Sequence, residues 1–236
     1  MINAISYEQL GKANYGWLQA NYHFSFAHYY NPERMGFGTL RVINDDKVQA
    51  GGGFPSHPHQ NMEIISFIRS GAITHKDSMG NQGVTEAGQV QVMSAGTGIM
   101  HSEYNLSKEA LTLYQIWITP KTMNIAPRWD SKQFPTTVAS DELPLLVSGY
   151  AKDKEQALYI NQDARIYGGK IAAGSQITVP IAHQAYVLAS HGSFTVADSD
   201  NEPVRLNQGD GAQMTQQDEL IITAETNSEV IVIDAP

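Results

Sequence analysis

Two histidines separated by one proline are the residues of this sequence best suited to chemistry. They are His57 and His59 in the stretch FPSHPHQNMEI, and the chain has eight histidines in all. Residues two apart on an extended strand project from the same face, so both imidazoles can converge on one ligand. Because Pro58 has no N–H for a central ladder, we expect the pair at the start or the edge of a strand.

A second pair with the same spacing occurs in HSEYN, where His101 and Glu103 share a face if the segment is extended. Three imidazoles and one carboxylate form a ligand set that Fe(II), Mn(II), Ni(II) or Cu(II) accepts, with two octahedral positions left open for catalysis. A single strand histidine is more often an ordinary polar residue than a ligand. Two such pairs, each beside a glycine-rich turn, favour a metal site. The thiolates typical of closed structural zinc sites are absent, since the chain has no cysteine.

Short apolar or alternating segments that would carry these residues recur along the whole chain. They include EIISFIRSG, QVQVMSA, LTLYQIWIT, QAYVLAS and EVIVID. Gly, Asn, Asp or Ser punctuates them at intervals of roughly eight to twelve residues, which is typical of an all-β sandwich or barrel. Helical periodicity is weak, so we expect only a short helix, after SKEAL or near SYEQL.

An internal repeat indicates two domains of one ancestry. Residues 69–93 align without a gap on residues 190–214, at an offset of 121. We therefore predict two β-barrel domains in tandem, at residues 1–125 and 136–236, joined within KTMNIAPRWDSKQFPTT. The identical pairs are Gly71 with Gly192, Thr74 with Thr195, Asp77 with Asp198, Ser78 with Ser199, Gly88 with Gly209 and Met93 with Met214.

The same offset predicts a second domain without metal. It carries the four candidate ligands onto Thr178, Pro180, Ile222 and Ala224, none of which binds a metal through its side chain in the way that histidine does. If the alignment slips there, His183 with Asp218 or Glu219 comes closer to the site. One imidazole and one carboxylate still make a poor cage.

Composition and charge exclude several classes of protein. The net charge of −9 and the lack of a basic stripe argue against direct nucleic-acid binding. No apolar run approaches the length that spans a bilayer, and MINAISYEQLGKANYGWLQ lacks the basic and apolar regions of a secretory signal. We therefore expect a soluble cytoplasmic protein without membrane association.

Several motifs resemble a known family. GGGFPSHPHQNMEIISFIRSG is similar to the first cupin motif, and GQVQVMSAGTGIMHSEYN is similar to the second, which ends here in His101 and Asn105. FSFAHYYNPERMGFGTLRVINDD, HKDSMGN and MSAGTGIMHSEYN more narrowly resemble the pirin family, especially its bacterial quercetinase-like members. The resemblance covers the first domain almost entirely and the second in pattern. It implies a monomeric bicupin, with two double-stranded β-helix barrels, few short helices, and one non-haem metal held by His57, His59, His101 and Glu103.

One position departs from the general cupin pattern. The glutamate of the first motif is usually a ligand four residues after the second histidine, where this chain has Ile64, preceded by Glu63. Pirins share this shift and use the glutamate of HxE instead. We therefore favour Glu103 as the carboxylate ligand and keep Glu63 as an alternative, which is otherwise a charged residue at the rim of the barrel.

The resemblance implies a quercetin 2,3-dioxygenase type of reaction. One divalent transition metal, with iron first and manganese, nickel, copper or zinc as alternatives, would bind a flavonol such as quercetin together with O2. The ring would open and carbon monoxide would leave, with Glu103 as ligand and, on partial dissociation, general base. A second hypothesis is a metal-dependent regulator that binds a protein partner without turnover. A third is a cupin isomerase or hydrolase that uses the same site without oxygen.

The remaining histidines carry weaker predictions. His75 lies two residues before Asp77, either beside the site or as a solvated hairpin residue. His23 and His28, in the aromatic segment NYHFSFAHYY, are expected to pack over the barrel. We expect no function for His191, and for Trp17 a core or interface role.

Overall fold

A computed structural model describes residues 1–198 and 202–236 of the chain. Almost all regular structure in these ranges is strand, which confirms the all-β class. Two 3-10 helices of one turn each occur there, at Tyr7–Gln9 and Ala151–Asp153. The helix predicted near SYEQL is thus a single turn, and the helix predicted after SKEAL is wrong because residues 111–118 form a buried strand. No helix in the described part of the chain is long and apolar enough to cross a membrane.

The strands of the described residues are numbered in chain order. They are β1 (Ile2–Ile5), β2 (Gly11–Asn14), β3 (Leu18–Tyr22), β4 (Leu40–Val48), β5 (Gly53–His59), β6 (Glu63–Ser70), β7 (Ala72–Asp77), β8 (Gln82–Glu86), β9 (Gln89–Ser94), β10 (Ile99–Tyr104), β11 (Leu111–Ile118), β12 (Arg128–Gln133), β13 (Val138–Ala139), β14 (Leu145–Ser148), β15 (Leu158–Tyr159), β16 (Arg165–Ile171), β17 (Gln176–Pro180), β18 (Gln184–His191), β19 (Ser193–Ala197), β20 (Val204–Asn207), β21 (Gly211–Met214), β22 (Glu219–Ala224) and β23 (Ser228–Ala235).

The chain divides into two compact units. We call Gly11–Phe134 with Leu158–Gln162 the N-terminal unit, and Met1–Leu10, Pro135–Ala157 and Asp163–Pro236 the C-terminal unit. The change from one unit to the other after Phe134 falls inside the segment predicted to join the domains, although β12 occupies part of that segment.

The first ten residues differ from the predicted division at 1–125 and 136–236, because they belong to the C-terminal unit. The reason is strand pairing across nearly the whole sequence. Strand β1 runs antiparallel to β21, from Ile2 opposite Met214 to Ile5 opposite Gly211. Only long-range hydrogen bonding determines this partner, so composition near the N-terminus could not reveal it.

The N-terminal unit contains a large and a small antiparallel sheet. The large one has the order β12-β9-β6-β11-β4-β3-β2, and the small one β5-β10-β7-β8. The central strands β6 and β11 are buried along most of their length, as expected for apolar strands covered on both faces. An apolar cluster that includes Ile68, Leu111 and Leu113 from the large sheet and Ile73 from the small one lies between the two sheets.

The C-terminal unit repeats this plan with an apolar interior. Its larger sheet has the order β1-β21-β18-β23-β16-β14, with β13 beside β16, and its smaller sheet has the order β17-β22-β19-β20. The apolar cluster inside includes Phe194, Ile222 and Ala224. Two of the positions that the repeat aligns with metal ligands, Ile222 and Ala224, are therefore part of a packed core.

The aligned residues of the repeat occupy corresponding strands in the two units. Strands β6, β7 and β8 correspond to β18, β19 and β20, within one residue at their ends, when shifted by 121 positions. The paired turn glycines also share a backbone conformation: φ is +75° at Gly71 and +74° at Gly192, a region that glycine adopts without strain. The predicted match of Ser78 with Ser199 lies outside the described residues.

Replacing Phe194 with alanine is expected to lower the free energy of unfolding by about 3–5 kcal/mol, because its ring is fully buried in the apolar cluster. Urea denaturation followed by circular dichroism measures the loss. Phe194→Leu removes less volume and should therefore cost less than Phe194→Ala. A loss of less than about 1.5 kcal/mol in Phe194→Ala would contradict the packing described for this unit.

Candidate metal centre

The small sheet of the N-terminal unit brings the predicted ligand residues together. Strand β5 lies at the edge of this sheet and pairs antiparallel with β10, so that His57 stands opposite His101 and His59 opposite Ile99. The edge position predicted from Pro58 is confirmed. The alternative, a strand start, is wrong because β5 ends at His59.

Three imidazoles form a compact cluster on one face of these two strands. The ring centroids of His57 and His101 are 4.4 Å apart, and each lies 4.9 Å from that of His59. One nitrogen from each ring lies within 4.8 Å of the others, close enough for all three to reach a common ion. We call His57, His59 and His101 the histidine cluster.

The protonation states of His59 and His101 suit metal binding. Burial, reinforced by the neighbouring imidazoles, lowers the pKa of His59 to about 4 and that of His101 to about 3. Both rings are neutral at pH 7, so each has a nitrogen lone pair to offer. His57 donates its Nδ1–H to the carbonyl oxygen of Pro55 at 2.7 Å, which leaves Nε2 as the ring nitrogen of His57 that can bind a metal.

The Nε2 atom of His101 indicates whether a metal ion fits this cluster. It is buried and has no hydrogen-bond partner. An unsatisfied buried polar atom costs about 1–3 kcal/mol, so such an atom beside two further imidazoles indicates a ligand. A divalent cation satisfies this nitrogen and matches the donor chemistry of all three rings. The residues therefore fit a metal ion.

Glu103 lies on β10 two residues beyond His101 and is 2% exposed. Its two carboxylate oxygens accept hydrogen bonds from Gln91 Nε2 at 2.5 Å and Gln115 Nε2 at 2.9 Å. Burial raises the pKa of Glu103 to about 7, against the two amide hydrogen bonds that lower it. Its carboxylate shares a second group of candidate ligand atoms with His75 and His101, also within 4.8 Å of one another.

The two glutamines are held so that their amide N–H groups face Glu103. Trp117 Nε1, which can only donate, bonds to Gln115 Oε1 at 3.1 Å, and Thr85 Oγ1 donates to Gln91 Oε1 at 2.9 Å. Both glutamines are buried polar residues within the mostly apolar strands QVQVMS and LTLYQIWI. That interruption is the signal by which the sequence could have identified them, and we did not predict them.

A cavity of about 340 Å³ adjoins the cluster, within the size range of small-molecule sites. Its wall is mostly apolar and aromatic. Besides the histidines, Glu103 and Gln115, two polar residues line the cavity: Asn44 and Asp46. The Oδ1 atom of each is buried and has no hydrogen-bond partner. The lining consists of Leu18, Tyr22, Phe26, Asn44, Asp46, Phe54, Pro55, His57, His59, Glu103, Gln115 and Trp117.

His75 is fully buried rather than solvated, so the first of its two predicted placements is the one observed. Its ring stacks on Trp129 with the centroids 5.0 Å apart and the planes 9° from parallel. Burial lowers the pKa of His75, although the hydrogen bond with Asp77 acts in the opposite direction.

The expectation that Glu63 is a charged residue at the rim is wrong. Glu63 is fully buried at the start of β6, and its Oε2 atom accepts hydrogen bonds from Ser94 Oγ at 2.6 Å and the backbone N–H of Asn161 at 3.1 Å. It belongs to neither group of candidate ligand atoms found among the described residues. Glu63 is tied to β9 and to the segment 158–162 of the same unit.

The other histidines considered from the sequence belong to neither group of candidate ligand atoms found among the described residues. His23 is buried, and His28 and His191 are exposed. Trp17 packs edge-to-face on Phe54 with ring centroids 5.1 Å apart, in agreement with a core role. In the C-terminal unit, His183 Nε2 lies 3.1 Å from the Tyr150 hydroxyl.

The stability of the metal-free protein is expected to fall by about 2 kcal/mol from pH 7.5 to pH 5 on account of His23. Burial lowers the pKa of His23 from 6.5 to about 3. Below pH 6.5, His23 is therefore protonated in the unfolded chain but not in the folded one. The free energy of unfolding falls as the pH falls. Urea denaturation at both pH values should show a shallower pH dependence in His23→Gln. An unchanged dependence in that variant would refute the assignment.

The family model described as Pirin matches residues 4–118, and that of the quercetinase C-terminal cupin domain matches residues 145–235. A pirin-like protein of Caulobacter vibrioides is 45% identical over 237 aligned positions, covering 100% of each chain. The chain belongs to the pirin family.

Two further relatives bear on the chemistry of this pirin-family chain. A protein of Escherichia coli strain K12 named quercetin 2,3-dioxygenase is 40% identical, with 96% of this chain and 95% of that protein covered. The crystal structure of the bacterial pirin YhhW of Escherichia coli in complex with nickel(II) is 38% identical and superposes with a TM-score of 0.91, covering 100% and 99% of the two chains. The tandem cupin fold and the pirin assignment predicted from the motifs are thereby confirmed.

Proposed function

We propose that this chain is a metal-dependent dioxygenase that opens a flavonol such as quercetin with O2 and releases carbon monoxide. The observation that carries the proposal is a histidine cluster with a buried, unpartnered His101 Nε2 beside an apolar cavity of about 340 Å³. The E. coli relative named quercetin 2,3-dioxygenase supports the choice of substrate.

His57, His59 and His101 would hold the metal, with Glu103 as the fourth ligand. A bound divalent ion would bind the oxygens of the substrate and of O2, and would favour loss of a proton from the flavonol 3-hydroxyl. Iron is our first choice, and the nickel(II) complex of the E. coli pirin supports nickel as an alternative.

Glu103 is the residue suited to take the proton of the 3-hydroxyl. A general base works best when its pKa lies near the working pH, and burial raises the pKa of Glu103 to about 7. The amide groups of Gln91 and Gln115 stabilise the ionised form and fix the plane of the carboxylate. They leave each oxygen with a further lone pair for the incoming proton.

The cavity wall would position the rest of the substrate. Phe26, Phe54 and Trp117 offer aromatic faces to a planar ring system and keep water from the reacting atoms. The unpartnered oxygens of Asn44 and Asp46 are acceptors that the phenolic hydroxyls of a flavonol can satisfy. The reaction consumes one O2 for each flavonol and needs no external reductant.

Oxygen uptake on addition of quercetin tests the proposal. Metal-free protein is loaded separately with Fe(II), Mn(II), Ni(II) or Cu(II), and uptake is followed together with carbon monoxide release. His59→Ala, treated in the same way, is the matched control. We expect metal-dependent uptake with release of carbon monoxide in the unaltered chain alone. No uptake with any tightly bound ion would contradict the enzyme and favour a metal-dependent regulator that acts through a protein partner.

A further inference from the structure

A line of three side chains runs from the small hairpin β7–β8 to the histidine cluster. His75 Nε2 lies 3.0 Å from Asp77 Oδ2, and His75 Nδ1 lies 3.5 Å from His101 Nδ1. His75 and His101 are at most 2% exposed and Asp77 is 8% exposed, so water does not compete for these contacts. Neither of these two contacts involves His101 Nε2.

Asp77 is built to act only as an acceptor. Its Oδ1 atom accepts hydrogen bonds from the backbone N–H groups of Met79 at 2.9 Å and Asn81 at 3.0 Å. Its Oδ2 atom accepts from the side-chain Nδ2 of Asn81 at 2.9 Å. Three donors directed at one carboxylate keep it ionised, and an ionised carboxylate has no proton to give. The proton shared with His75 therefore sits on His75 Nε2.

This arrangement determines the tautomer of the next ring. A neutral imidazole carries one N–H, so a His75 protonated at Nε2 presents a bare lone pair at Nδ1. That lone pair faces His101 Nδ1, which must then be the protonated nitrogen of its ring. His101 Nε2 is left with its lone pair, buried and without a partner. A histidine nitrogen binds a metal ion through such a lone pair.

The plane of His75 is fixed as well as its proton. Trp129 from β12 stacks on the imidazole almost in parallel. Gly83 on β8 makes room for the indole, since a Cβ at that position would come within 2.4 Å of the Trp129 ring. The Nδ1 lone pair of His75 is thus aimed at His101 by packing as well as by hydrogen bonding.

We propose that Asp77 and His75 are positioning residues that set the Nδ1–H tautomer of His101 and so keep its Nε2 lone pair ready for a metal. The inference rests on the metal site of the proposed function, although not on any particular reaction there. It also separates the two groups of candidate ligand atoms, because a His75 that is committed to Asp77 and His101 has no lone pair left for an ion.

Asp77→Asn is the sharpest variant because the surrounding donors dictate how the amide must lie. The two backbone N–H groups of Met79 and Asn81 require the amide oxygen, so the NH2 group takes the place of Oδ2 and faces His75 Nε2. The side-chain amide of Asn81, which donates to Oδ2, can turn over and accept from the new NH2 group with its oxygen. His75 would then be protonated at Nδ1, and His101 at Nε2. Both tautomers are reversed by the loss of one charge without a change of volume.

Nitrogen-15 NMR of histidine-labelled, metal-free protein at pH 7.5 reads the tautomers directly. His101 is expected as Nδ1–H in the unaltered chain and as Nε2–H in Asp77→Asn. The affinity for Ni(II), measured by competition with a chelator, should fall 10- to 100-fold in the variant. Glu86→Gln, which removes an exposed carboxylate at the end of β8, is the matched control and should change neither quantity.

An Nε2–H tautomer of His101 in the unaltered protein would overturn the inference, and that measurement does not depend on any variant folding. Unchanged tautomers in a folded Asp77→Asn would overturn it too. If the tautomers reverse and Ni(II) binding weakens but quercetin is not consumed by the unaltered chain, the inference holds and only the dioxygenase proposal fails.

Discussion

Replacing His59 with alanine is expected to abolish metal retention while the fold persists. His59 supplies one of only three imidazoles in the histidine cluster, and its ring contacts both of the others. It ends the edge strand β5 and is only half-buried, so its side chain contributes little to the core. Removing an outer-shell partner already costs 10- to 100-fold in metal affinity, and removing a ligand should cost roughly 100-fold or more.

The measurement is the metal-to-protein ratio after dialysis, alongside thermal unfolding followed by circular dichroism. His28→Ala is the matched control, because His28 is an exposed histidine of the same unit that lies outside both groups of candidate ligand atoms. It should retain as much metal as the unaltered chain. Stoichiometric metal in a well-folded His59→Ala protein would refute the assignment of His59 as a ligand.

Replacing Glu103 with glutamine is expected to lower quercetin turnover by about 10²- to 10⁴-fold, the usual contribution of a general base. The surrounding hydrogen bonds can accommodate an amide at position 103. Trp117 holds Gln115 with its N–H groups toward position 103, so the new carbonyl oxygen must face Gln115. Gln91 can turn over instead, because the Thr85 hydroxyl that bonds to it is able to accept as well as donate.

Steady-state oxygen uptake with quercetin measures the effect, at a metal concentration that saturates the variant. Glu63→Gln is the control for losing a buried carboxylate in the same unit, since Glu63 bonds to Ser94 and Asn161 outside the cavity lining. That variant should keep its turnover. Turnover in Glu103→Gln within a factor of about ten of the unaltered chain would exclude Glu103 as the base.

The histidine cluster could be predicted from the sequence because strand geometry is local. A period of two fixes the shared face of His57 and His59 wherever the strand lies, and the same holds for His101 and Glu103. The repeat likewise located the corresponding strands of both units, because turn glycines such as Gly71 mark a backbone conformation that other residues resist.

Long-range pairing decided what these local patterns left open. Nothing near residues 1–10 indicates that β1 joins β21, and nothing near Glu63 indicates that its carboxylate is enclosed by Ser94 and Asn161. Both outcomes depend on residues at least 30 positions away, which periodicity does not relate.

The sequence by itself determined the all-β class, the two-fold repeat and the residues that could hold a metal. Only the tertiary structure decided how the side chains of those residues are oriented toward a metal. Trp129 reaches His75 from another sheet, and Gln91 and Gln115 orient Glu103 from two further strands. The physical reason is that a lone pair is aimed by the hydrogen bonds and packing around it, and these contacts come from strands whose neighbours are set by the whole fold.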